Sequence, residues 1–224
     1  TRSYASSDPE DISVRAGDNI VYAQKLSTLD QILIFTNKGK VINRPVHEIP
    51  DIRWKDAGQH LSQSINFETD EQIVAVFDYN KLPDDETFVF MTRKGYIKQT
   101  VVSEFAHKRN YRTSSSTAIK LAKADDELLN VHLIKDEDFD VFLVSHRGYG
   151  LRYPLSEVST YGPNAKGVKS INLKEGDYVV NGLLIDNEES SVHAMIVTQR
   201  GAVKKMNLSD FDVISRAKRG LLVL

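Results

Sequence analysis

Lysine or arginine stands directly before a glycine at four regularly spaced places in this chain. These are Lys38 before Gly39, Lys94 before Gly95, Arg147 before Gly148 and Arg200 before Gly201. By subtraction, the glycines are 56, 53 and 53 positions apart. Ammonium and guanidinium groups bind phosphate oxygens well. One such turn is most often only solvated, but four copies with one period favour repeated contact with a polyanion.

Other reactive side chains lack the spacing that catalysis or metal binding requires. The chain has no G-x-S-x-G and no P-loop, and its nearest approach to G-x-G-x-x-G, GYGLRY from Gly148, has Tyr153 in place of the third glycine. The six histidines have no metal-ligand spacing. Clustered carboxylates could support acid–base chemistry or Ca²⁺ binding, but solvated turns account for them better. We therefore predict no catalytic residue, no metal and no cofactor in this chain.

Each basic turn lies between two apolar strands. The four copies read LIFTNKGKVINR at residues 33–44, FVFMTRKGYIKQT at 88–100, VFLVSHRGYGLRY at 141–153 and AMIVTQRGAVKKM at 194–206. β-branched and aromatic residues fill both arms, and glycine supplies the positive φ of a tight turn, so each copy predicts a β-hairpin. Four hairpins with one period predict a repeat fold.

A second glycine follows three of the hairpins at a fixed distance. Gly58, Gly167 and Gly220 each lie 19 positions after the hairpin glycine of their copy. The second copy has the polar run 113–117 there, which we interpret as a loop of different conformation within a complete blade. Residues 168–185, after Gly167, predict two more strands, so a full unit has four.

The first and last copies are incomplete. AGDNIVYAQKL at residues 16–26 parallels EGDYVVNGLLI at residues 175–185 without a hairpin before it, and the final RAKRGLLVL has no partner strand. We therefore expect a fragment of a longer protein. Its predicted organisation is a partial blade at residues 1–30, blades at 31–80, 81–137 and 138–190, and a partial blade at 191–224.

The composition is typical of a globular protein from a reducing compartment. Of the 224 residues, 41% are hydrophobic and 27% charged, and none is cysteine, which excludes a disulfide scaffold. No apolar run is long enough to span a bilayer, and residues 1–10 lack the apolar segment of a signal peptide. We expect a cytoplasmic protein with no integral membrane segment.

The formal net charge of −2 argues against a polyanion partner only if acidic and basic residues are evenly distributed over the surface. Acidic clusters lie between the copies, at residues 68–71, 84–86, 125–127, 136–140 and 186–189. We expect a strand of roughly 20 Å to hold each acidic cluster at the end opposite the basic turn. Repetition would then give a basic rim suited to duplex DNA. Without a helix-turn-helix, zinc or leucine-zipper pattern, its contacts should be mainly with the DNA backbone.

The predicted DNA-contact residues come from the hairpin turns, the strands after them and the second-glycine loops. They are Lys38, Lys40, Arg44, Arg53, Lys55, Arg93, Lys94, Lys98, Lys108, Arg109, Arg112, Arg147, Arg152, Lys166, Lys169, Arg200, Lys204, Lys205, Arg216, Lys218 and Arg219. Trp54, the only tryptophan, could stack on a base, but a half-buried anchor for its loop is the favoured interpretation.

Several stretches resemble one family over nearly the whole chain. IFTNKGKV, RPVHEIPDIRWKDAGQHLSQSI, FMTRKGYIKQTVVSEF, GVKSINLKEGD, TQRGAVKK and SRAKRGLLVL are similar to the C-terminal domains of the A subunits of bacterial type IIA topoisomerases. RWKDAGQHLSQ and SRAKRGLLVL resemble the topoisomerase IV branch more than gyrase. Gyrase carries a Gln-Arg-Arg-Gly-Gly-x-Gly box where this chain has TRSYASSDPED, so the resemblance does not extend to strong chiral wrapping of DNA.

The resemblance implies an all-β fold, namely a β-pinwheel of four-stranded antiparallel blades that exchange strands and bend double-stranded DNA around a basic rim. In the full A2B2 enzyme, this domain would present the transported duplex for decatenation and supercoil relaxation. The B subunit would bind ATP, Mg²⁺ would lie at the cleavage core, and the family's catalytic tyrosine lies outside this chain. The resemblance also implies association with the bacterial chromosome, with peripheral membrane contact as a further option.

Two other kinds of propeller remain open at this point. A kelch-like propeller that binds a protein partner shares the period of about 50 residues, but it does not need a basic residue before every hairpin glycine. A glycan-processing propeller would need a carboxylate pair in its central channel, whereas the acidic residues here are expected in turns.

Overall fold

The computed structural model describes residues 17, 19–53, 56, 58–106, 115–135, 138–187 and 193–223. Their regular structure is almost entirely β-strand, and the helices among them are 3₁₀ turns of three or four residues. No helix in these ranges is long and apolar enough to cross a membrane. The prediction of an all-β fold is confirmed.

Fourteen strands follow one another along the described residues. They are β1 (Gln31–Thr36), β2 (Lys40–Pro45), β3 (Ile73–Asp78), β4 (Thr87–Thr92), β5 (Tyr96–Val101), β6 (Ser116–Thr117), β7 (Leu128–Ile134), β8 (Phe139–Ser145), β9 (Tyr149–Pro154), β10 (Val168–Lys169), β11 (Val179–Asp186), β12 (His193–Val197), β13 (Val203–Asn207) and β14 (Leu221–Leu222). A 3₁₀ turn follows the second strand of every hairpin, at Val46–Glu48, Val102–Phe105, Leu155–Glu157 and Leu208–Asp210. Two more lie at Leu61–Gln63 and Tyr79–Lys81.

The strands form three four-stranded antiparallel sheets and one two-stranded sheet, which we number as blades 1 to 4. Their strand orders are β3-β1-β2-β6, β7-β4-β5-β10, β11-β8-β9-β14 and β12-β13. In each of the first three blades, the hairpin takes its third strand from its own copy and its fourth from the next copy along the chain. Neighbouring blades therefore exchange strands, as the family resemblance implies.

The hairpin glycines make this exchange possible because they let the incoming segment approach the turn. In blade 1, the N–H groups of Ala118 and Ile119 donate to the Gly39 carbonyl at 2.8 and 3.0 Å. Gly39 has a φ of +71°, and a Cβ there would lie 2.4 Å from the Ile119 carbonyl oxygen. Any side chain would push the exchanged segment away. The equivalent bonds join Ser170 N–H to Gly95 and Val223 N–H to Gly148, each at 2.7 Å.

Apolar side chains fill the spaces between consecutive blades. Between blades 1 and 2, Phe35 packs edge-to-face on Phe88 and Phe90, with ring centroids 5.1 and 5.4 Å apart. Between blades 3 and 4, Phe142 and Phe211 make a similar contact at 5.1 Å. Such aromatic pairs contribute about 0.5–1.5 kcal/mol beyond their burial. The space between blades 2 and 3 is filled by Val89, Met91, Ile97, Val141, Leu143 and Leu151.

Two expectations about incomplete copies have different outcomes. Residues 19–30 contain no strand, so the described part of the predicted N-terminal partial blade is not formed. The sequence of this segment resembles that of β11, but a third strand forms only by pairing with a hairpin. Ile20 and Val21 are accordingly at least half-exposed. In the second copy, Ser116 and Thr117 form β6, which pairs with β2 as β10 pairs with β5, so this place is not missing, but these two residues form an exchanged strand and not the loop of different conformation that was predicted.

Candidate nucleic-acid interface

The hairpin turns lie along one continuous edge, which we call the turn edge and define by residues 37–39, 93–95, 146–148 and 198–202. Leu128, which begins β7 beside the turn of blade 2, donates its N–H to the Asn37 carbonyl in the turn of blade 1 at 2.8 Å. Val179 makes the equivalent bond to Arg93 at 2.8 Å. Val223 connects blades 3 and 4. Its N–H donates to the Gly148 carbonyl, and its own carbonyl accepts from Lys204 Nζ of β13 at 2.9 Å.

A buried carboxylate braces each turn of the first three blades. Asp126 accepts from the Thr92 hydroxyl at 2.9 Å and from the Lys94 N–H at 2.8 Å. Asp177 accepts from the Arg147 N–H at 3.1 Å. Burial raises the pKa of Asp126, although these hydrogen bonds oppose the shift. The carboxylates therefore fix the turns that present the basic side chains. The set is Glu71 in blade 1, Asp126 in blade 2 and Asp177 in blade 3.

In blades 1 and 2, the basic side chains of the turns are paired with carboxylates. Lys38 Nζ lies 2.5 Å from Asp70, and Lys94 Nζ lies 2.6 Å from Asp125. The hydrogen bond between Lys38 and Asp70 raises the pKa of the lysine and lowers that of the acid. The turn of blade 1 has three carboxylates and two lysines, and that of blade 2 has three carboxylates with Arg93, Lys94 and the nearby Lys123, so neither has net positive charge. The other pairs are Lys40 with Glu68 and Glu71, and Arg93 with Glu127.

This pairing corrects the expected separation of charge along each strand. The third strand of a blade runs antiparallel to the first and therefore begins beside the turn where the first strand ends. Acidic residues 68–71 and 125–127 lie just before β3 and β7, so they lie on the turn edge. The prediction was wrong for these two clusters. Residues 84–86 lie before β4 and therefore at the opposite end, as expected.

Blade 3 lacks the aspartate that pairs with the turn lysine in blades 1 and 2. Arg147 is exposed and forms no ion pair within the described part of the chain. Arg200 of blade 4 is also exposed, and the segment before the third strand, which supplies the acidic partners in blades 1 and 2, has no counterpart for blade 4 among the described residues. Gly176 lies directly before the buried carboxylate of blade 3, where blades 1 and 2 have Asp70 and Asp125. A Cβ at Gly176 would lie 3.6 Å from Nη2 of Arg147. The Arg147 guanidinium thus lies beside a residue that has no side chain to pair with it.

Two further cations lie around Tyr149, the first residue of β9. Lys174 Nζ lies 5.8 Å from the centre of its ring, and Arg219 Cζ lies 6.0 Å from it. The sequence prediction included Arg219 and missed Lys174. The signal for Lys174 is its place three residues before Asp177, because that carboxylate lies at the turn edge.

A stack of flat side chains, also missed from the sequence, joins the turns of blades 2 and 3. The Tyr178 and His146 rings are nearly parallel, with an interplanar angle of 10° and centroids 4.6 Å apart. Arg93 Cζ lies 4.3 Å from the centroid of Tyr178. Tyr178 follows a buried carboxylate where blade 2 has the acidic Glu127, while Glu175 of blade 3 stands where blade 2 has Ala124.

Lys98 was predicted to contact DNA, and the structure contradicts this. Its exposed fraction is 0%, and Nζ donates to the carbonyls of Ala118, Pro163 and Gly162 at 2.6, 3.0 and 3.1 Å. Burial lowers the pKa of Lys98 to about 7. Alternate residues of a strand face opposite sides, and Lys98 faces the space between blades. It joins the segment that crosses to blade 1 with the loop before β10.

Other predicted side chains are also engaged within the fold. Arg152 Nε lies 2.7 Å from Asp140, with only 13% and 5% of the two side chains exposed. Such a buried guanidinium supports the fold and does not face solvent. Further engaged groups are Arg44 with Glu48 at 2.7 Å, Lys204 with the Val223 carbonyl at 2.9 Å and Arg216 with the Lys169 carbonyl at 2.5 Å.

The remaining predicted residues divide into exposed ones and ones outside the described residues. Arg53 is exposed, with its side chain 85% accessible, although it pairs with Asp56 at 3.0 Å. Lys55, Lys108, Arg109 and Arg112, together with Trp54, lie outside the described residues. The exposed members on or near blades 2, 3 and 4 are Arg147, Lys166, Lys169, Arg200, Lys205, Lys218 and Arg219.

The four copies also match a known family. The family model for the DNA gyrase C-terminal domain, a β-propeller, matches residues 30–80, 86–135, 140–186 and 193–223. The chain belongs to the DNA gyrase C-terminal domain family. This match confirms the family resemblance and favours it over the kelch-like and glycan-processing alternatives.

Relatives within this gyrase C-terminal domain family come from topoisomerase IV. The A subunit of DNA topoisomerase 4 from Bacillus subtilis (strain 168) is 41% identical over 223 residues, and that from Streptococcus pneumoniae serotype 4 is 43% identical over 224 residues. All of this chain is covered, but it spans only 27% and 26% of those relatives. A crystal structure of the C-terminal domain of DNA topoisomerase IV matches with a TM-score of 0.86 and 42% identity, covering 96% of this chain and 64% of that one.

Proposed function

We propose that this domain binds and bends duplex DNA with the turn edge of blades 3 and 4. One observation carries the proposal: the exposed Arg147 projects from that edge without an ion pair to other described residues, and Arg200 is exposed in the next turn, on a member of the gyrase C-terminal domain family. Lys174 and Arg219 add positive charge beside Arg147. Cations spaced along an edge suit a rod of regularly spaced phosphates, and such contacts carry no base sequence.

Within a longer protein, we propose that the domain belongs to the A subunit of a bacterial topoisomerase IV. There it would hold the transported duplex for decatenation and supercoil relaxation on the chromosome in the cytoplasm. The B subunit would bind ATP, and the cleavage core formed by the rest of the A subunit would use Mg²⁺. Both ligands would lie outside this chain, whose role is to bind and orient DNA.

Bending, and not full wrapping, fits the charge of the turn edge. A bend of 40 to 90° over a short site costs on the order of 1–6 kcal/mol, which protein contacts must offset. The turns of blades 1 and 2 have no net positive charge to contribute. The stretch TRSYASSDPED, which replaces the gyrase box, lies outside the described residues.

Fluorescence anisotropy with short labelled duplexes across a salt series tests the proposal. The logarithm of affinity should fall linearly with the logarithm of salt, by about 0.9 for each phosphate contacted. Reversing Arg147 and Arg200 to glutamate should weaken binding equally on unrelated sequences. Lys135→Glu, at the opposite end of β7, is the control and should leave affinity near wild type. Unchanged affinity in a folded double variant would place the DNA site elsewhere.

A further inference from the structure

We propose that the residue directly before the buried turn carboxylate determines whether the turn of a blade contacts DNA. This inference rests on the proposed DNA binding. The position is occupied by Asp70 in blade 1, Asp125 in blade 2 and Gly176 in blade 3. An aspartate there holds the basic residue of the turn, whereas glycine leaves that residue for a phosphate.

The three positions correspond in the turn before the third strand, but Gly176 has a φ of +74° whereas Asp70 and Asp125 have negative φ. In each, the next residue is the buried carboxylate that braces the turn. In blades 1 and 2, the aspartates lie within 2.5 and 2.6 Å of Lys38 and Lys94. In blade 3, Gly176 has no carboxylate, and Arg147 Nη2 lies 3.6 Å from where a Cβ of Gly176 would be.

The aspartates lie where an approaching phosphate would meet them. The side chains of Asp70 and Asp125 are 72% and 70% exposed, whereas those of their lysines are only 25% and 24% exposed. A phosphate would therefore meet a carboxylate before it reached Lys38 or Lys94. It would have to displace an ion pair and would also be repelled by the acid. Of these three turns, only that of blade 3 is accordingly open to a phosphate.

Gly176→Asp tests the inference, with Gly176→Asn as its matched control. Gly176 has a φ of +74°, a left-handed conformation that aspartate and asparagine tolerate better than most residues. The two variants share this backbone cost and differ in charge. Gly176→Asp should reduce the salt slope by about one contact, worth roughly three- to fourfold in affinity between 50 and 200 mM salt. Gly176→Asn should keep the wild-type slope.

The reciprocal change, Asp125→Asn, should free Lys94 and raise the salt slope by about one contact. Adding Lys94→Gln to Asp125→Asn should return the slope to the wild-type value. Equal behaviour of Gly176→Asp and Gly176→Asn, or no gain from Asp125→Asn, would overturn this inference while the wild type still binds DNA. Absence of salt-dependent binding by the wild type would instead overturn the proposed function.

Discussion

Replacing Lys98 with methionine tests the internal role that the structure gives this lysine. Methionine keeps an unbranched apolar side chain but removes the amine that donates to three carbonyl oxygens. Each buried acceptor left without a donor costs about 1–3 kcal/mol, and removal of the buried charge offsets part of that loss. We expect Lys98→Met to lower the free energy of unfolding by about 2 kcal/mol near neutral pH.

The pH dependence of the unfolding free energy tests the role of Lys98 more specifically. The pKa of Lys98 is lowered from 10.5 to about 7 in the folded protein because the side chain is buried. Between these values the unfolded state binds more protons, so the stability due to Lys98 rises with pH, by up to about 1.4 kcal/mol per unit. The difference in unfolding free energy between wild type and Lys98→Met should grow by about 2 kcal/mol from about pH 7 to about pH 9. Below about pH 6 it should be constant.

Urea denaturation of both proteins at several pH values measures this difference directly. Lys94→Met is the control because Lys94 lies on the turn edge, only four residues away, and it should change stability by no more than about 0.5 kcal/mol. Parallel pH profiles for wild type and Lys98→Met would contradict a buried, titrating Lys98.

The other two predictions compare equivalent substitutions in different surroundings. Gly39→Ala and Gly201→Ala both force alanine into positive φ, which should lower the free energy of unfolding by about 1–2 kcal/mol. Gly39→Ala should lower it by about 1–3 kcal/mol more, because its Cβ would lie 2.4 Å from a backbone oxygen. Equal decreases in stability of the two variants, measured by thermal denaturation, would show that the exchanged segment can move to accommodate a side chain at position 39. Arg152→Met should cost about 3–5 kcal/mol because it leaves Asp140 buried and unpaired, whereas Arg53→Met, at an exposed pair, should cost about 1 kcal/mol at most. Similar urea midpoints for these two variants would contradict the difference in burial.

The repeat could be predicted from sequence because each hairpin contains its own turn chemistry. Gly39, Gly95, Gly148 and Gly201 all have φ between +71° and +80°, as the basic-glycine pattern requires. Strand exchange could not be derived in this way. The exchanged strands β6, β10 and β14 have two residues each, which is too short for any periodicity, and they pair with residues far away in the chain. Only the family resemblance implied the exchange.

The candidate site was predicted less completely than the fold because charge alone does not determine exposure. Lys94 and Lys98 are four residues apart and equally basic, yet one lies on the turn edge and the other fills the space between blades. The partners Asp70 and Asp125 are 32 and 31 positions from their lysines, by subtraction. They reach them only because the third strand returns beside the turn. Pairing of that kind depends on topology, which residue spacing does not reveal.

A lysine-acylation footprint with and without saturating duplex DNA tests the central claim most directly. Mass spectrometry would report the protection of each lysine separately. DNA binding at the turn edge predicts strong protection of Lys174, which lies beside the turn of blade 3, and unchanged reactivity of Lys81 and Lys135 at the opposite ends of the blades. Protection of Lys81 and Lys135 without protection of Lys174 would contradict DNA binding at this edge.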